Sequence, residues 1–342
     1  MRLRTVLATL TAGLAAAATL TAAGSAGATG RAPHACSSAV TLDRFSDALD
    51  KTTYQDTFVG NFSALAADGR SLAALSDRSS LFRLDARTLR PTSVVRLADE
   101  KGADLDSEGL VAERDGTFLV SSETEPSIRR YSPDGRILDR LPVPAALQAV
   151  PAGRATTNQT FEGLTLLPGG RTLLASMENA LSGDSPTIVR FQTWQRTAGG
   201  HFRLGAQYAY PLDAGLGVPE VQATPDGRLL VLERGFTTGV GNTVRLYLAD
   251  PRHASDTRDV ENLTGQRGVR PIGKTLLADI ADCPSLGATA KQPQPNPLLD
   301  NIEGMTITGR EKGRLKVLLV SDDNQNTTQT TRFYYLRVRT TP

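Results

Sequence analysis

Five segments of the sequence carry a polar or acidic residue at the start of a short strand pattern and a second acid further along. The opening residues are Ser63, Glu108, Glu162, Glu220 and Glu303, and the closing acids are Asp77, Glu123, Glu178, Glu233 and Asp322. The two positions lie 14, 15, 16, 13 and 19 residues apart in the five copies. Carboxylates that a repeat brings together can bind a hard divalent cation and can orient or deprotonate a water molecule. The repeat therefore predicts a site made of carboxylates.

The residues between the two acids of each copy predict an antiparallel hairpin. Glycine turns such as Asp115-Gly116 and Pro168-Gly169-Gly170 separate two short alternating strands, and glycine supplies the positive φ that tight hairpins need. A third strand follows in each copy, and the sequence places it at Leu81–Leu84, Ile128–Tyr131, Ile188–Phe191, Val244–Tyr247 and Phe333–Leu336. Units of three or four strands repeated along a chain are typical of propeller blades.

The repeat thus predicts an all-β fold, a single β-propeller domain. Successive opening positions are 45, 54, 58 and 83 residues apart. The last interval leaves room for another blade around Lys274–Ile280, so six blades are expected, and five or seven remain open. The sequence lacks any long pattern of helical period, and only the stretch from Ala145 to Val150 suggests one helical turn.

In a propeller the first strand of each blade lines the central channel. The opening residues Glu108, Glu162, Glu220 and Glu303 are therefore predicted to form a ring whose mutual repulsion a Ca²⁺ ion would relieve. Ser63 leaves this ring incomplete. The alternative is that these glutamates accept hydrogen bonds from backbone N–H groups of a neighbouring blade, and each reading could hold for different copies.

The closing acids should lie at the same mouth of the channel. Glu123, Glu178, Glu233 and Asp322 are predicted to orient or deprotonate water. The polar residues beside them are predicted to bind an anionic group of the substrate, and these are Arg78, Arg234, Asn179 and Asn324. The alternative is a set of solvated turn residues. Histidine chemistry is disfavoured because none of the three histidines occupies a repeat position.

The first residues indicate export. Arg2 and Arg4 precede an apolar stretch from Thr5 to Ala23, and Ala26-Gly27-Ala28 matches a cleavage site. We therefore expect a Sec-type signal peptide over residues 1–28 and a secreted domain over residues 29–342. A membrane anchor is the alternative, and it is disfavoured because stop-transfer charges do not follow closely.

The amino-acid composition limits the classes of molecule that the protein is expected to bind. The 38 basic and 36 acidic residues are interspersed, which predicts no nucleic-acid-binding face. The mature part has no further long apolar run, so no membrane span is expected, and we expect a monomer that takes a small anionic or ester substrate. In an oxidising compartment the two cysteines, Cys36 and Cys283, suggest one disulfide, with two unpaired thiols as the alternative.

Several segments together resemble a known family, the bacterial "esterase-like activity of phytase" or phytase-like domain. The segments are Asp106-Ser107-Glu108-Gly109-Leu110, Asn158 to Leu166 with Phe161-Glu162-Gly163-Leu164, Ala175-Ser176-Met177-Glu178-Asn179, Glu233-Arg234-Gly235-Phe236, Asn301 to Met305, and Ser321-Asp322-Asp323-Asn324-Gln325 followed by Gln329 to Phe333. This resemblance implies a secreted propeller whose activity is named by analogy to calcium-dependent phytases. The Glu-Gly pairs are more distantly similar to calcium-lactonase propellers of the gluconolactonase and paraoxonase type.

The leading hypothesis is a calcium-dependent hydrolase of phosphate or carboxylic esters. The alternative is a non-catalytic binding propeller, in the envelope or outside the cell, with a structural metal. A structural or adhesion protein is a third reading. An open metal position in an accessible mouth would distinguish the first hypothesis from the second.

Overall fold

A computed structural model describes residues 33–341, and in this range the strands form five four-stranded antiparallel sheets and one small hairpin. The chain enters with β1 (Val40–Ser46), followed by the hairpin of β2 (Thr52–Tyr54) and β3 (Thr57–Val59). The predicted signal peptide, residues 1–28, lies outside the described residues. Within the described range, no helix is both long and apolar enough to cross a membrane.

Each sheet is one blade, and its strands follow one another from the channel outwards. Blade 1 comprises β4 (Phe62–Asp68), β5 (Ser71–Ser76), β6 (Ser80–Asp85) and β7 (Pro91–Arg96). Blade 2 comprises β8 (Ser107–Ala112), β9 (Phe118–Ser122), β10 (Ser127–Tyr131) and β11 (Ile137–Arg140). Blade 3 comprises β12 (Phe161–Leu166), β13 (Thr172–Met177), β14 (Ile188–Arg196) and β15 (Phe202–Pro211).

Blades 4 and 5 complete the ring. Blade 4 comprises β16 (Gly217–Ala223), β17 (Leu229–Thr237), β18 (Gly241–Asp250) and β19 (Gly273–Asp279). Blade 5 comprises β20 (Ile302–Glu311), β21 (Arg314–Ser321) and β22 (Phe333–Val338), with β1 as its outermost strand. Three single-turn 3-10 helices lie at Ala145–Leu147, Pro251–His253 and Ile280–Asp282.

Two links fasten the N-terminal segment to late parts of the chain. Strand β1 pairs antiparallel with β22, from Val40 opposite Val338 to Ser46 opposite Phe333. The predicted disulfide is confirmed: Cys36 and Cys283 are bonded, with 3.9 Å between their Cα atoms and 247 residues between them in sequence. The first described strand and the last blade are therefore held together by a ladder of hydrogen bonds, and a covalent bond fixes the segment before β1.

The five inner strands, β4, β8, β12, β16 and β20, each contact the two neighbouring inner strands. Apolar side chains fill the space between adjacent blades. Phe62 of blade 1 lies edge-on to Phe82 of the same blade at 5.7 Å and to Phe333 of blade 5 at 6.0 Å. Such aromatic pairs prefer edge-to-face geometry, and they hold neighbouring sheets at a fixed angle around the channel.

The predicted hairpins and third strands are confirmed, but the predicted count of six blades is wrong. The segment around Lys274–Ile280 is not an extra blade: most of it is β19, the outer strand of blade 4, where Ala278 pairs with Leu246. The remaining length between the fourth and fifth repeats is loop, residues 251–272 and 280–301, with two 3-10 turns. An insertion of loop therefore accounts for the long interval.

Candidate functional site at the channel mouth

All five inner hairpins carry one extra residue on the inner strand near the channel mouth. In blade 2, for example, Ser107 lies opposite Ser122 and Leu110 opposite Val120, so that two residues face one. The same irregularity occurs in the other four blades. A bulge of this kind redirects the side chains beside it. It recurs where the opening residues lie, at the mouth end of the hairpin.

Glycine after the opening glutamate lets neighbouring inner strands approach closely. A Cβ atom on Gly109 would lie 2.4 Å from the backbone oxygen of Glu162. A Cβ on Gly163 would lie 2.4 Å from the backbone nitrogen of Val221. Because both obstacles are backbone atoms, they cannot turn aside as a side chain could. The glycine after the opening glutamate is therefore required by the packing of one blade against the next.

The register of blade 4 places its carboxylates differently from the sequence prediction. Gly217 lies opposite Arg234, as Phe161 lies opposite Met177 in blade 3. Val218 therefore occupies the position that Glu162 holds in blade 3. Glu220 lies two residues further along β16, beyond the bulge, whereas Val218 packs in the apolar core between blades 3 and 4.

Glu220 consequently does not join the other opening glutamates at the mouth. It is fully buried, and its Oε1 accepts a hydrogen bond from the backbone N–H of Val221 at 2.8 Å. Burial raises the pKa of its carboxyl well above the usual value, against smaller lowering contributions from the backbone N–H groups of Val221 and of Met305 and Leu164 on the two adjacent inner strands. Its Oε2 has no hydrogen-bond partner. The hydrogen bond that Glu220 makes is thus to its own strand, and hydrogen bonding between blades stays a prediction for this residue.

Glu233 also lies away from the mouth, because it precedes Arg234 on β17 and points to the opposite face of the sheet. The hydroxyl of Tyr210 donates to its Oε1 at 2.7 Å, and the backbone N–H of Asp213 donates to its Oε2 at 3.0 Å. Lys274 forms an ion pair with the same carboxylate. This buried network, which joins blade 4 to the last strand of blade 3 and the loop after it, satisfies Glu233.

The remaining predicted acids meet at one pocket of about 250 Å³ at the channel mouth, which we call the mouth pocket. Every residue that lines it is polar or charged. The lining residues are Ser63, Asp77, Asp106, Glu108, Glu123, Asn158, Gln159, Glu162, Glu178, Arg234, Glu303, Asp322 and Asn324. Eight of them are acids, contributed by blades 1, 2, 3 and 5 and the loops beside them. Blade 4 contributes Arg234.

Burial and mutual repulsion hold the pKa values of these acids above their ordinary range. Burial raises the pKa of Glu123 to about 8. The hydrogen bond that the Thr160 N–H donates to its carboxylate at 2.6 Å lowers this pKa, but by less than burial raises it. Burial, followed by repulsion from neighbouring carboxylates, raises the pKa values of Glu108 and Glu162 well above the usual value. Burial, followed by repulsion from neighbouring carboxylates, also raises the pKa of Asp322. Several carboxylates therefore share a volume that cannot hold all of their charges without compensation.

Two groups of three carboxylates approach closely enough to share a cation. In the first group, Asp106, Glu108 and Glu123, one oxygen from each residue lies within 4.8 Å of the others. The second group consists of Glu123, Glu162 and Glu178 at the same spacing. Glu123 belongs to both, so the two groups form one continuous set of oxygen donors. Oxygen donors in flexible number are the ligands that Ca²⁺ prefers.

Among the described residues that line the pocket, Arg234 is the one basic side chain. Its Nη2 lies 2.9 Å from Oε1 of Glu303 and 3.7 Å from Oε1 of Glu178. The neighbouring carboxylates outweigh its burial and raise the pKa of the guanidinium further, so it remains charged. Burial raises the pKa of Glu303 to about 6, and the guanidinium of Arg234 keeps this pKa lower than burial alone would set it.

The phytase-like family model, described as esterase-like activity of phytase, matches residues 57–325. The chain belongs to the phytase-like family. The match extends from β3 to the loop after β21, and it contains every residue that lines the mouth pocket.

Similar proteins give little further information about this phytase-like chain. An uncharacterized secreted protein of Arthroderma benhamiae is 32% identical over 117 residues, which cover 27% of the chain and 23% of that relative. A PQQ-bound aldose sugar dehydrogenase of Streptomyces coelicolor is 14% identical, with a TM-score of 0.41 and coverage of 88% of this chain and 98% of that one. A Bacteroides caccae protein of unknown function is 11% identical, with a TM-score of 0.36 and coverage of 77% and 69%.

The predicted substrate-binding residues of the phytase-like propeller separate into two groups. Arg234 and Asn324 line the mouth pocket, and the backbone N–H of Asn324 donates to Oδ1 of Asp322 at 2.8 Å. Arg78 lies outside the pocket lining, with 67% of its side chain exposed and its Nε 3.6 Å from Asp77. Asn179 also lies outside the lining, where its side chain lowers the pKa of Glu178 against the larger effect of burial.

Sequence reasoning assigned no role to three pocket residues, Asp106, Asn158 and Gln159, although all three lie in segments that carry the family resemblance. Asp106 precedes the repeat by two positions, so the pattern of opening and closing acids does not include it. The signal for Asp106 was its spacing from Glu108, because residues i and i+2 of an extended segment point to the same side. Asn158 has a φ of 58°, a backbone conformation that asparagine tolerates, and marks the turn that brings Asn158 and Gln159 to the mouth.

Proposed function

We propose that this phytase-like propeller is a calcium-dependent hydrolase of phosphate or carboxylic esters that uses the carboxylates of the mouth pocket. The observation that carries the proposal is the convergence of eight acidic side chains and one guanidinium on a single open pocket. A cluster this acidic is costly unless a cation compensates it. Catalysis also requires the cation to be accessible to substrate, and the pocket opens to solvent at the channel mouth.

The donors in the pocket fit a hard divalent cation. They are the oxygens of the acidic side chains that line it. The residues that would hold the cation are the two close groups, Asp106, Glu108, Glu123, Glu162 and Glu178. A bound Ca²⁺ would supply Lewis-acid polarisation of the phosphoryl or carbonyl oxygen of the ester.

Arg234 and Asp322 suit two further roles, binding an anionic oxygen of the substrate and activating the attacking water. The Nε of Arg234 is buried without a hydrogen-bond partner, so the guanidinium retains a donor for an anionic oxygen of the substrate. Asp322 lies outside both close groups, and burial together with repulsion from Glu303 raises its pKa. A carboxylate with a raised pKa is a better acceptor for a proton from water near neutral pH. These two residues would orient the anion and activate the water.

Export is part of the proposal. The Cys36–Cys283 disulfide and the secreted relative agree with an extracellular location. We expect the Sec-type signal peptide to be removed after Ala28. N-terminal sequencing of protein recovered from the culture medium should then give Thr29 as its first residue, and a start at Met1 would contradict cleavage.

Glutamate-to-glutamine variants test the cation site. Glu162→Gln keeps the shape of the side chain and removes one charge from a close group, so calcium affinity should fall at least about tenfold, with ester hydrolysis falling alongside it. Glu220→Gln should leave the calcium stoichiometry unchanged, because Glu220 accepts a hydrogen bond from its own strand and lies outside the lining of the mouth pocket. Glu311→Gln, on the same strand as Glu303 but near its far end, is the surface control.

Calorimetry measures calcium binding, and turnover is followed with phosphate-ester and carboxylic-ester substrates. Equal calcium affinity in Glu162→Gln and the wild type would overturn the proposed site. Calcium binding without turnover of either ester class would favour the second hypothesis, a non-catalytic binding propeller with a structural metal.

A further inference from the structure

Two polar atoms of blade 1 face the mouth pocket without hydrogen-bond partners. Ser63 is 1% exposed, and its Oγ makes no hydrogen bond. The Oδ1 atom of Asp77 is also buried and accepts no hydrogen bond, and the Nε of Arg78 lies 3.6 Å from it. Neither residue belongs to the two close carboxylate groups. Buried polar atoms are almost always paired, so an unpaired hydroxyl and an unpaired carboxylate oxygen at one wall indicate that a ligand supplies the missing bonds.

The composition of the pocket narrows the chemistry of that ligand. Asn158, Gln159 and Asn324 add amide groups to the lining, and none of the described lining residues is apolar. Hydroxyl, amide and carboxylate groups together can both donate to and accept from the hydroxyls of a ligand. An apolar acyl chain or aromatic ring would instead leave these groups desolvated and unpaired, which costs binding free energy.

The volume and the charge of the mouth pocket limit the size and the charge of the ligand. The pocket volume of about 250 Å³ lies below the roughly 300–1,000 Å³ of pockets for drug-sized ligands, so the recognised group is small. Of the described lining residues only Arg234 is cationic, and it already pairs with Glu303. One bound Ca²⁺ and one guanidinium bring three positive charges to a pocket with eight acidic side chains, so a ligand with several negative charges would still be repelled.

We propose that Ser63 and Asp77 form a subsite for the hydroxyl groups of a small, hydroxyl-rich substrate that carries at most one negative charge. The inference rests on the proposed function, because it assigns the substrate class of the same pocket. Ser63 donates to one substrate hydroxyl, and Asp77 Oδ1 accepts from the same hydroxyl or its neighbour. The subsite holds the substrate on the blade 1 side while the close carboxylate groups face its ester.

Matched neutral probes test the subsite without requiring turnover. Glucitol and hexane-1,6-diol have the same carbon chain, but glucitol carries six hydroxyls and the diol carries two. Ligand-observed NMR on the calcium-loaded mature protein should detect glucitol binding and little binding of the diol. Binding of the diol as tightly as glucitol would overturn the proposal, and so would inorganic phosphate binding more tightly than glucitol.

Ser63→Ala removes the unpaired hydroxyl and should weaken glucitol binding about three- to tenfold, the value of one lost hydrogen bond. Ser71→Ala, at the other end of the same hairpin, is the matched control and should leave it unchanged. Asp77→Asn provides a second variant, should Ser63→Ala alter the melting temperature. Unchanged glucitol affinity in both variants would overturn the subsite and would indicate that water molecules bind these two atoms. A fall in calcium affinity in Ser63→Ala would also overturn it, because Ser63 would then be a ligand of the cation.

The same titration in chelator separates the two proposals. If glucitol binds and depends on Ser63 while calcium neither binds nor supports hydrolysis, the proposed function fails and the subsite stands. If calcium binds and esters are hydrolysed while glucitol does not bind, the subsite fails and the proposed function stands.

Discussion

At the scale of single residues, the mouth pocket is dominated by carboxylates that are buried next to one another. Burial raises the pKa of Asp77 to about 6, and Arg78 and Asp106 act on it in opposite directions. Each such shift records free energy that the folded protein must supply to keep the acid ionised. The pocket therefore stores a destabilising charge that a cation can relieve.

This stored charge predicts how stability depends on pH when calcium is removed. The ordinary pKa of Glu123 is 4.5 and its folded value is about 8, so the folded state binds the proton more tightly than the unfolded chain between those values. The free energy of unfolding should therefore fall as pH rises through this window, by up to about 1.4 kcal/mol per pH unit for each such group. Urea denaturation in the presence of chelator, at pH 5 and at pH 8, measures this change in the free energy of unfolding.

Calcium provides the control for that measurement. In saturating calcium the carboxylates are compensated, and the difference between pH 5 and pH 8 should shrink or reverse, since protons then compete with the cation at low pH. A chelated protein that is more stable at pH 8 than at pH 5 would contradict the assigned burial of these acids.

At the scale of elements, the recurring bulge and the glycine that follows the opening glutamate set the geometry of the mouth. The sequence predicted the hairpins because turn glycines and strand alternation are local signals. It misplaced the carboxylate of blade 4 because one strand alone does not show where its bulge lies relative to the partner strand. Only the pairing of Gly217 with Arg234 distinguishes the two registers.

The glycine packing predicts a specific loss of stability. Gly163→Ala would place a Cβ 2.4 Å from Val221 N and 2.7 Å from Glu220 Cα, so the inner strands of blades 3 and 4 would have to separate. The free energy of unfolding should fall by about 2 kcal/mol or more. Gly273→Ala at the start of β19, where no atom lies within 4 Å, should change it by less than about 0.5 kcal/mol. Urea denaturation of both variants decides the point, and equal stability would refute the close approach.

At the scale of the whole molecule, five inner strands surround one channel, and β1 pairs with β22 in the last blade. The architecture and the disulfide could be predicted from sequence because a repeat and a cysteine count are visible in it. The blade number could not, because the 83-residue interval from Glu220 to Glu303 holds the three outer strands of blade 4 and two long loops. Chain length alone does not distinguish an inserted loop from a blade.

The convergence of the acids also belongs to this scale. Asp77, Glu123, Glu178 and Asp322 come from four blades, and ring closure alone brings them to one pocket. The repeat predicted that convergence for these residues. It could not predict that blade 4 would supply a guanidinium in place of a carboxylate, because Arg234 and Glu233 are adjacent and only the sheet face decides which of them points into the mouth.

Calorimetric titration of the chelator-treated mature protein with Ca²⁺ tests the cation site most directly. We expect saturable binding of at least one ion per chain and a higher melting temperature in calcium than in chelator. Binding to the folded state alone stabilises it by about 2.7 kcal/mol when free calcium is a hundred times the Kd. Absence of binding heat, together with the same melting temperature in calcium and in chelator, would contradict a cation site at the channel mouth.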